Sequence, residues 1–220
     1  DRLLFECGSL RIYEGEKIAI TGVNGCGKTT LLNILAGVSP ADGGEAVING
    51  SVSYAAQLDE GFAQSGPGGI ADDAFPGSIS AEFNAAEEYL AHLSGGEKTR
   101  YRISAALENA RDILILDEPT SNLDMRAIEI LEEKLKEFKG TLIIVSHDRT
   151  LLQKLCGRVI EIENSRINDF DCGYMEYEYQ KKLIFERAEF EYYDYLSEKK
   201  RIERAIVDKK QKSREMRKTP

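Results

Sequence analysis

Gly22-Val23-Asn24-Gly25-Cys26-Gly27-Lys28-Thr29 is the stretch that decides the fold, because it matches the pattern G-x-x-x-x-G-K-[ST] of a phosphate-binding loop. The apolar run Lys17–Thr21 precedes it and a helix-like segment, Leu31–Ala36, follows it, so the strand and the helix that the motif requires are both expected. Glycines let backbone N–H groups turn inward, and the helix start adds the positive end of its dipole. This context disfavours a glycine-rich turn without a ligand. The chain is therefore expected to bind a nucleoside triphosphate.

Within this loop, two side chains have specific expected roles. Lys28 reaches the terminal phosphates, and the Thr29 hydroxyl ligates Mg²⁺. The predicted nucleotide contacts from this region are Gly22, Val23, Asn24, Gly25, Cys26, Gly27, Lys28, Thr29 and Thr30.

Composition limits the class of protein. The chain has 220 residues, 42% of them hydrophobic, which suffices for one domain and an appendage. No apolar run approaches the roughly 20 residues that span a bilayer, and no signal pattern opens the sequence, so a cytoplasmic protein is expected. The four cysteines, Cys7, Cys26, Cys156 and Cys172, show no paired spacing and are expected to be free thiols.

Charge is distributed unevenly along the chain. The net charge is −9, yet the segment Ser197–Lys218 holds ten basic and four acidic residues. A basic tail on an acidic body indicates that the tail meets a polyanion.

Continuous apolar runs are typical of buried strands in a parallel sheet, and three occur here: Lys17–Thr21, Ile113–Leu116 and Thr141–Ser146. Each ends in polar residues, as expected where ligands bind beyond the carboxyl ends of the strands. Shorter patterns with glycine turns between them predict a small antiparallel annex formed by Leu10–Tyr13, Ala46–Asn49 and Ser51–Ala55. The fold class is therefore α/β. Phe5 and Tyr13 are expected to be core residues.

Helical patterns occur in several of the remaining segments, whereas Gly61–Ser80 is predicted to be a loop. A short helix is predicted over Ala81–Ala91, and another over Leu123–Lys139 with Gly140 as its stop. From about Tyr174 charged residues alternate with apolar ones without Gly or Pro, which predicts one long amphipathic helix. The predicted domains are residues 1–170 and 171–220, with a short helical subdomain over 57–107.

A second candidate element for phosphate chemistry is the strand that ends at Asp117-Glu118. Asp117 at a strand tip beside the loop can hold Mg²⁺ through water, and Glu118 can polarise an attacking water. A third element, Ser94-Gly95-Gly96-Glu97, combines small residues with a helix start, which suits either an anion or a plain helix cap.

Leu93–Glu97 resembles the signature sequence of the ATP-binding cassette family, and the remaining family motifs occur in the expected order along the chain. Gln57 matches the Q-loop glutamine that senses Mg²⁺ and the attacking water. The stretch Pro119–Asp124 resembles the D-loop, and His147 matches the switch histidine that contacts the γ-phosphate. The resemblance implies an ATPase with ATP and Mg²⁺ as ligands, in which Glu118, His147 and Gln57 are catalytic.

Family resemblance also implies a partner. Two cassettes pair head to tail, so that Ser94, Gly95 and Gly96 contact nucleotide held by the partner's phosphate-binding loop. The implied metal ligands are Thr29, Gln57 and Asp117. The implied fold is a mostly parallel sheet flanked by helices, with the antiparallel annex, the helical subdomain and a C-terminal extended helix.

Three features favour the ABC-F branch, whose members act on ribosomes. These are the short segment between Gln57 and Leu93, the variants Ser94–Arg100 and Ser146–Arg149, and the aromatic-then-basic tail, which resembles the ABC-F interdomain linker. The resemblance implies a first cassette with part of that linker, contacting ribosomal RNA and transfer RNA, and includes the antibiotic-resistance branch. Two alternatives stay open: the nucleotide-binding subunit of a membrane transporter, and a nucleotide-responsive interaction module with little hydrolysis.

Overall fold

The computed structural model describes residues 3–56 and 94–216, with side chains through Arg204. Its strands are β1 (Lys17–Gly22), β2 (Val52–Ala55), β3 (Ile113–Asp117), β4 (Thr141–Val145), β5 (Arg158–Glu163) and β6 (Arg166–Phe170). Its helices are α1 (Lys28–Leu35), α2 (Gly95–Asn109), α3 (Met125–Glu137), α4 (Arg149–Leu155) and α5 (Tyr174–Met216). The predicted helix over Ala81–Ala91, residue Gln57 and most of the predicted helical subdomain lie outside the described residues.

The six strands of the described part form one sheet in the order β2-β3-β4-β1-β5-β6. All neighbours pair in parallel except β5 and β6, which pair antiparallel. Because β4 lies between β3 and β1, the residues that follow these three strands emerge side by side at one edge. The predicted α/β class with a mostly parallel sheet is confirmed.

Both faces of the sheet are covered, as continuous apolar strands require. On one face the strand residues pack with Leu31 and Leu32 of α1 in a buried cluster that includes Ile18, Ile20, Ile115, Ile143, Val145, Ile160 and Ile162. The alternate strand positions are buried as well, among them Ala19, Leu114, Leu116, Leu142 and Ile144. This packing fixes α1, and therefore the loop before it, over the middle of the sheet.

The predicted antiparallel annex is not observed in the described residues, although one of its three predicted segments, Ser51–Ala55, does contain a strand. Leu10–Tyr13 and Ala46–Asn49 form no strand, and β2 joins the main sheet, parallel to β3. Leu10 and Ile12 do pack against the core cluster, so their alternation reflects burial of one side. That alternation is not accompanied by a hydrogen-bonded partner strand. Phe5 also packs on the core, whereas Tyr13 is 61% exposed, so the expectation for Tyr13 was wrong.

Near the C-terminus the chain divides into two units between Tyr174 and Met175. The second unit is the long helix α5, in agreement with the predicted helix from about Tyr174. Its exposed apolar side chains include the consecutive residues Leu183, Ile184 and Phe185, so they cover more than one side of the helix. The assignment of residues 171–220 to an interdomain linker stays a prediction. None of the helices in the described ranges has the combined length and apolar character needed to cross a membrane.

Candidate active site

The loop between β1 and α1 adopts a conformation that requires glycine. Gly22, Gly25 and Gly27 have φ of 148°, 76° and 108°, all in the region that side chains disfavour. A Cβ on Gly22 would also stand 2.5 Å from the carbonyl oxygen of Ile162 on β5. The glycines of the motif are therefore needed for the turn itself, and the turn directs the chain into α1.

Helix α1 differs from its neighbours at its N-terminus. Its N-cap, Gly27, supplies no side-chain hydrogen bond, and its first turn contains no acidic residue. By contrast, α2, α3 and α4 are each capped by their own side chain, from Ser94, Asp124 and Asp148. The first amide N–H groups of a helix need an acceptor, and an anion supplies one. Among these four helices, α1 is thus the one whose N-terminus is suited to a phosphate.

Lys28 lies across this loop. Its Nζ donates to the carbonyl oxygens of Gly22 at 2.9 Å and of Val23 at 3.2 Å. These acceptors are neutral, so a phosphate can replace them with a stronger, charge-assisted partner. The ammonium group is therefore already held at the loop that is expected to receive the triphosphate.

Thr29 and Asp117 meet between α1 and the sheet. Thr29 Oγ1 donates to Asp117 Oδ2 at 2.8 Å, and Asp117, the last residue of β3, is only 4% exposed. A hydroxyl oxygen and a carboxylate are the hard oxygen donors that Mg²⁺ prefers. The two residues therefore fit a Mg²⁺ site beside the phosphates, with further ligands supplied by water and the phosphates.

Glu118 follows directly in a left-handed backbone conformation with φ of 50°. Its N–H donates to the carbonyl of Val145 at 2.8 Å, so the end of β3 stays bound to the end of β4. Its carboxylate accepts from the backbone N–H of His147 at 3.1 Å, and His147 Nε2 lies 3.5 Å from Glu118 Oε1. The Glu118 side chain is 12% exposed, whereas that of His147 is 74% exposed. The carboxylate is therefore held in place, and the imidazole is open to a ligand.

Hydrogen bonds join the two loops that carry these residues. Ser121 Oγ donates to the Glu118 carbonyl at 2.8 Å, and Thr120 Oγ1 lies 3.2 Å from Ser146 Oγ. Ser146 Oγ accepts in turn from Asp148 N at 3.0 Å. The position of Glu118 is thus coupled to the turn that carries His147.

Ser94-Gly95-Gly96-Glu97 begins α2 with a capping box. Ser94 Oγ and N both contact Glu97 Oε2, at 2.6 and 2.9 Å, and Glu97 N donates back to Ser94 Oγ at 3.4 Å. The hydrogen bonds from Ser94 hold the pKa of the Glu97 carboxyl below its usual value. In this chain alone, the helix start is therefore satisfied by its own residues.

Some of the predicted site residues contact one another in the structure, and others do not. Thr29 contacts Asp117, and Glu118 contacts His147, all at the carboxyl edge of β1, β3 and β4. Gly95 and Gly96 instead lie against Asn122, which follows β3 in the predicted D-loop. The catalytic and metal-binding assignment of Gln57, and the place of Leu93, fall outside the described residues.

The sequence did not indicate one contact and one residue near this site. Arg100 Nη2 pairs with Asp124 Oδ2 at 2.5 Å, which joins α2 to the N-cap of α3. Tyr54 lies on the α1 side of the sheet near Asp117. Arg100 and Asp124 belong to the motifs Ser94–Arg100 and Pro119–Asp124, but neither motif shows that the two side chains pair. No local motif marks Tyr54, although the alternation of side chains along β2 and β3 could have placed it on the face of Asp117.

Comparison with known families identifies the family of the chain. The family described as ABC transporter matches residues 6–65 and 77–121, a range that includes the phosphate-binding loop, the signature and Glu118. An ATP-binding cassette solved as a dimer in a post-hydrolysis state with ADP and Pi superposes with a TM-score of 0.58 at 22% identity, over 76% of this chain and 90% of that one. This likeness shows the cassette fold.

Three curated relatives are more similar in sequence. ABC transporter F family member 5 of Arabidopsis thaliana is 35% identical, over 90% of this chain and 31% of its own length. The erythromycin resistance ATP-binding protein MsrA of Staphylococcus epidermidis is 37% identical, over 78% and 34%. The ribosome protection protein VmlR of Bacillus subtilis is 37% identical, over 76% and 33%. The chain spans about a third of the length of these relatives. On this evidence the chain belongs to the ATP-binding cassette family, and its relatives include members of the F family, as the sequence motifs predicted.

Proposed function

We propose that this chain is an ATP-hydrolysing cassette of an ABC-F protein that acts on the ribosome. The observation that carries the ATPase part is the uncapped N-terminus of α1, which lies directly beside the contact between Thr29 and Asp117. Family membership supports the choice of ATP as the nucleotide.

In this proposal each part of the site has a separate task. The amides of the loop and Lys28 bind the phosphates, and Thr29 with Asp117 holds Mg²⁺, which neutralises phosphate charge when bound. Glu118 orients the attacking water, because its carboxylate is held at the strand edge by the His147 amide. The exposed imidazole of His147 contacts the γ-phosphate. Phosphoryl transfer depends mainly on such positioning and charge stabilisation.

A second cassette completes the site. Ser94, Gly95 and Gly96 form the start of α2, and no contact with Lys28 or Thr29 joins them to the phosphate-binding loop among the described residues, so we propose that they serve nucleotide held by a partner cassette. The partner is a second cassette of the same protein or a second copy of this one. Capture of ATP between the two would close the pair, and hydrolysis would reopen it.

The ribosome part of the proposal is supported by the relatives and by the tail. One relative is named a ribosome protection protein and another an erythromycin resistance protein. On α5, Lys199, Lys200 and Arg204 are exposed, and basic side chains on a helix suit RNA phosphates through counterion release. A cytoplasmic location and a role in antibiotic resistance belong to this proposal.

Nucleotide binding is tested by calorimetric titration of ATP into the chain and its Lys28→Ala variant. We expect the substitution to weaken binding at least tenfold, because a charge-assisted phosphate contact is lost. Lys134→Ala on the exposed side of α3 is the matched control. Equal affinity of Lys28→Ala and wild type would contradict the assigned role.

Ribosome action is tested by sedimentation of the chain with purified ribosomes at increasing salt. Three charge reversals on α5 are expected to abolish co-sedimentation: Lys199→Glu, Lys200→Glu and Arg204→Glu. Three exposed positions on α3 and after it form the control set: Arg126→Glu, Lys134→Glu and Lys139→Glu. If the fraction of the chain that co-sediments with ribosomes changed neither with salt nor with the α5 charge reversals, RNA contact through the tail would be contradicted.

A further inference from the structure

Glu118 has a backbone conformation that a glutamate does not favour by itself. Its φ of 50° lies in the left-handed region, which residues with a Cβ rarely adopt. Strained conformations of this kind persist only where the surrounding structure holds them, and they occur often at functional sites. The contacts around Glu118 must therefore keep the residue in place.

The residues after Glu118 form a tight turn. Ser121 N donates to the Glu118 carbonyl oxygen at 3.1 Å, and Ser121 Oγ donates to the same oxygen at 2.8 Å. A backbone hydrogen bond between residues three apart closes a β-turn, and proline, here Pro119, is favoured at its second position. Thr120 is thus the third residue of a turn that is closed on Glu118.

A second turn carries His147 beyond the end of β4. Ser146 Oγ accepts from the backbone N–H of Asp148, two residues further on, at 3.0 Å. This bond closes a small turn with His147 at its centre. Asp148 in turn caps α4, because its Oδ1 accepts from Leu151 N at 3.1 Å. The His147 amide therefore lies between the Ser146 side chain on one side and the start of α4 on the other.

The two turns meet through a pair of hydroxyl groups. Thr120 Oγ1 and Ser146 Oγ lie 3.2 Å apart, and both residues are only partly exposed. A hydroxyl has one proton and two lone pairs, so Ser146 Oγ can contact Thr120 and accept from Asp148 N at once. One residue beyond Ser146, His147 N donates to Glu118 Oε2 at 3.1 Å. The hydroxyl pair therefore joins the turn that begins at the carboxylate to the turn that supplies its amide donor.

We propose that Thr120 and Ser146 are positioning residues that hold the Glu118 carboxylate against the His147 amide. Without the hydroxyl pair the two turns can move apart, and the carboxylate then spends less time in the orientation that directs the attacking water. The phosphates are bound by a different loop, so their binding does not depend on this pair. The loss should therefore fall on kcat and leave the affinity for nucleotide unchanged. This inference rests on the role proposed above for Glu118.

The test compares three variants with wild type. Thr120→Val replaces the hydroxyl by a methyl group, Thr120→Ser keeps the hydroxyl, and Ser146→Ala removes the other half of the pair. Phosphate release is measured over a range of protein concentrations, and binding of a non-hydrolysable ATP analogue is measured by calorimetry. We expect Thr120→Val to lose about tenfold in kcat, because a displaced catalytic group is less often in a reactive position, and to bind the analogue as wild type does.

The other variants separate the hydroxyl from the rest of the side chain. Thr120→Ser should recover most of the loss, and Ser146→Ala should lose at least as much as Thr120→Val because it also loses the bond from Asp148 N. Thr150→Val is the matched control, since it makes the same substitution at an exposed position of α4. It should have the kcat of wild type.

Hydrogen exchange of the His147 amide, followed by NMR on the chain alone, reports the contact without relying on turnover. We expect this amide to exchange about tenfold faster in Thr120→Val than in wild type, while the amides of β1 keep their wild-type rates. Unchanged rates in β1 separate a local loosening from a general loss of stability.

Several results would overturn the inference. These are an unchanged exchange rate of the His147 amide in Thr120→Val, an equal loss of kcat in Thr120→Ser, full turnover in Thr120→Val, or a loss of analogue affinity as large as the loss of kcat. If wild type released no phosphate at any protein concentration, or if Glu118→Gln kept the wild-type turnover, the proposed function would fail and this inference with it. If Glu118→Gln lost turnover and Thr120→Val did not, only the roles of Thr120 and Ser146 would fail.

Discussion

Gly96 lies directly against the backbone carbonyl of Asn122, so closely that a Cβ on the glycine would stand 2.6 Å from that oxygen. Asn122 is itself in a left-handed conformation with φ of 62°, four residues beyond Glu118. The start of α2 and the loop after β3 are thus packed backbone to backbone. Any displacement of one must be accommodated by the other, which joins the predicted signature segment to the loop that begins at Glu118, the proposed catalytic carboxylate.

Gly96→Ala is expected to destabilise the cassette. The added methyl group meets a backbone carbonyl oxygen and not the end of a flexible side chain, and overpacking of this kind lowers the free energy of unfolding by about 1 to 3 kcal/mol. Gly95→Ala is the matched control, because its Cβ would meet only Asn122 side-chain atoms at 3.8 Å or more. The free energy of unfolding of Gly95→Ala should equal that of wild type or exceed it by up to about 1 kcal/mol, because alanine has the higher helix propensity. Urea unfolding of both variants checks the difference, and equal stabilities would show that the contact yields without strain.

Glu118→Gln is expected to bind ATP and to lose turnover by a factor of about 10² to 10⁴, the usual contribution of a general base. The fold should persist, because the glutamine oxygen can still accept from the His147 amide. Phosphate release is measured over a range of protein concentrations, so that pairing of cassettes is included. The control is Glu129→Gln on the exposed side of α3. Turnover within twofold of wild type would remove Glu118 from the mechanism.

Asp124 has two separable roles, as the N-cap of α3 and as the partner of Arg100. Asp124→Asn keeps a good capping side chain and loses the ion pair, which is exposed on both sides and therefore contributes little. Asp124→Ala loses both, and loss of the cap alone lowers stability by about 0.5 to 2 kcal/mol. Chemical denaturation should therefore rank wild type and Asp124→Asn close together and Asp124→Ala clearly lower. The reverse order of the two variants would mean that the ion pair dominates.

The stability of the fold is expected to decrease in acid, because protonation weakens the contacts of Arg158 with its carboxylate partners. Arg158 donates to both oxygens of Asp169, at 2.9 and 2.7 Å, and to Glu16 at 2.8 Å. The hydrogen bond to Arg158 lowers the pKa of Asp169 below its ordinary value of 3.8. A lowered pKa stabilises the fold above pH 3.8, and this stabilisation is lost as the pH falls through the folded-state pKa. Asp169 is 44% exposed, so the effect is modest.

The measurement is the melting temperature between pH 5 and pH 2. In Asp169→Asn the melting temperature should fall less steeply below about pH 4 than in wild type. Asp42→Asn, in an exposed segment, serves as the control. An unchanged profile in Asp169→Asn would show that the pair with Arg158 does not contribute to the acid dependence.

Much of the site could be predicted from sequence because its parts are local. The glycines of Gly22–Thr29 serve a turn and a helix start within eight residues, and Asp117 and His147 each follow an apolar strand directly. The predicted antiparallel annex was wrong for the opposite reason, because it depends on pairing between separate segments. Alternation in Leu10–Tyr13 shows which side is buried, but a strand also needs a partner, and a partner cannot be inferred from alternation within the segment.

The sequence alone determined the family and the turn of the Gly22–Thr29 loop, and it predicted the candidate catalytic residues, since each depends on residue types at short, fixed spacing. Only the tertiary structure decided the strand order, which places β4 between β1 and β3 and so brings Thr29 to Asp117 and Glu118 to His147. It also decided the packing of Gly96 on Asn122 and the contact between Thr120 and Ser146. These relationships join positions far apart in the chain. They arise because apolar burial on both faces of one sheet fixes every strand and helix at once.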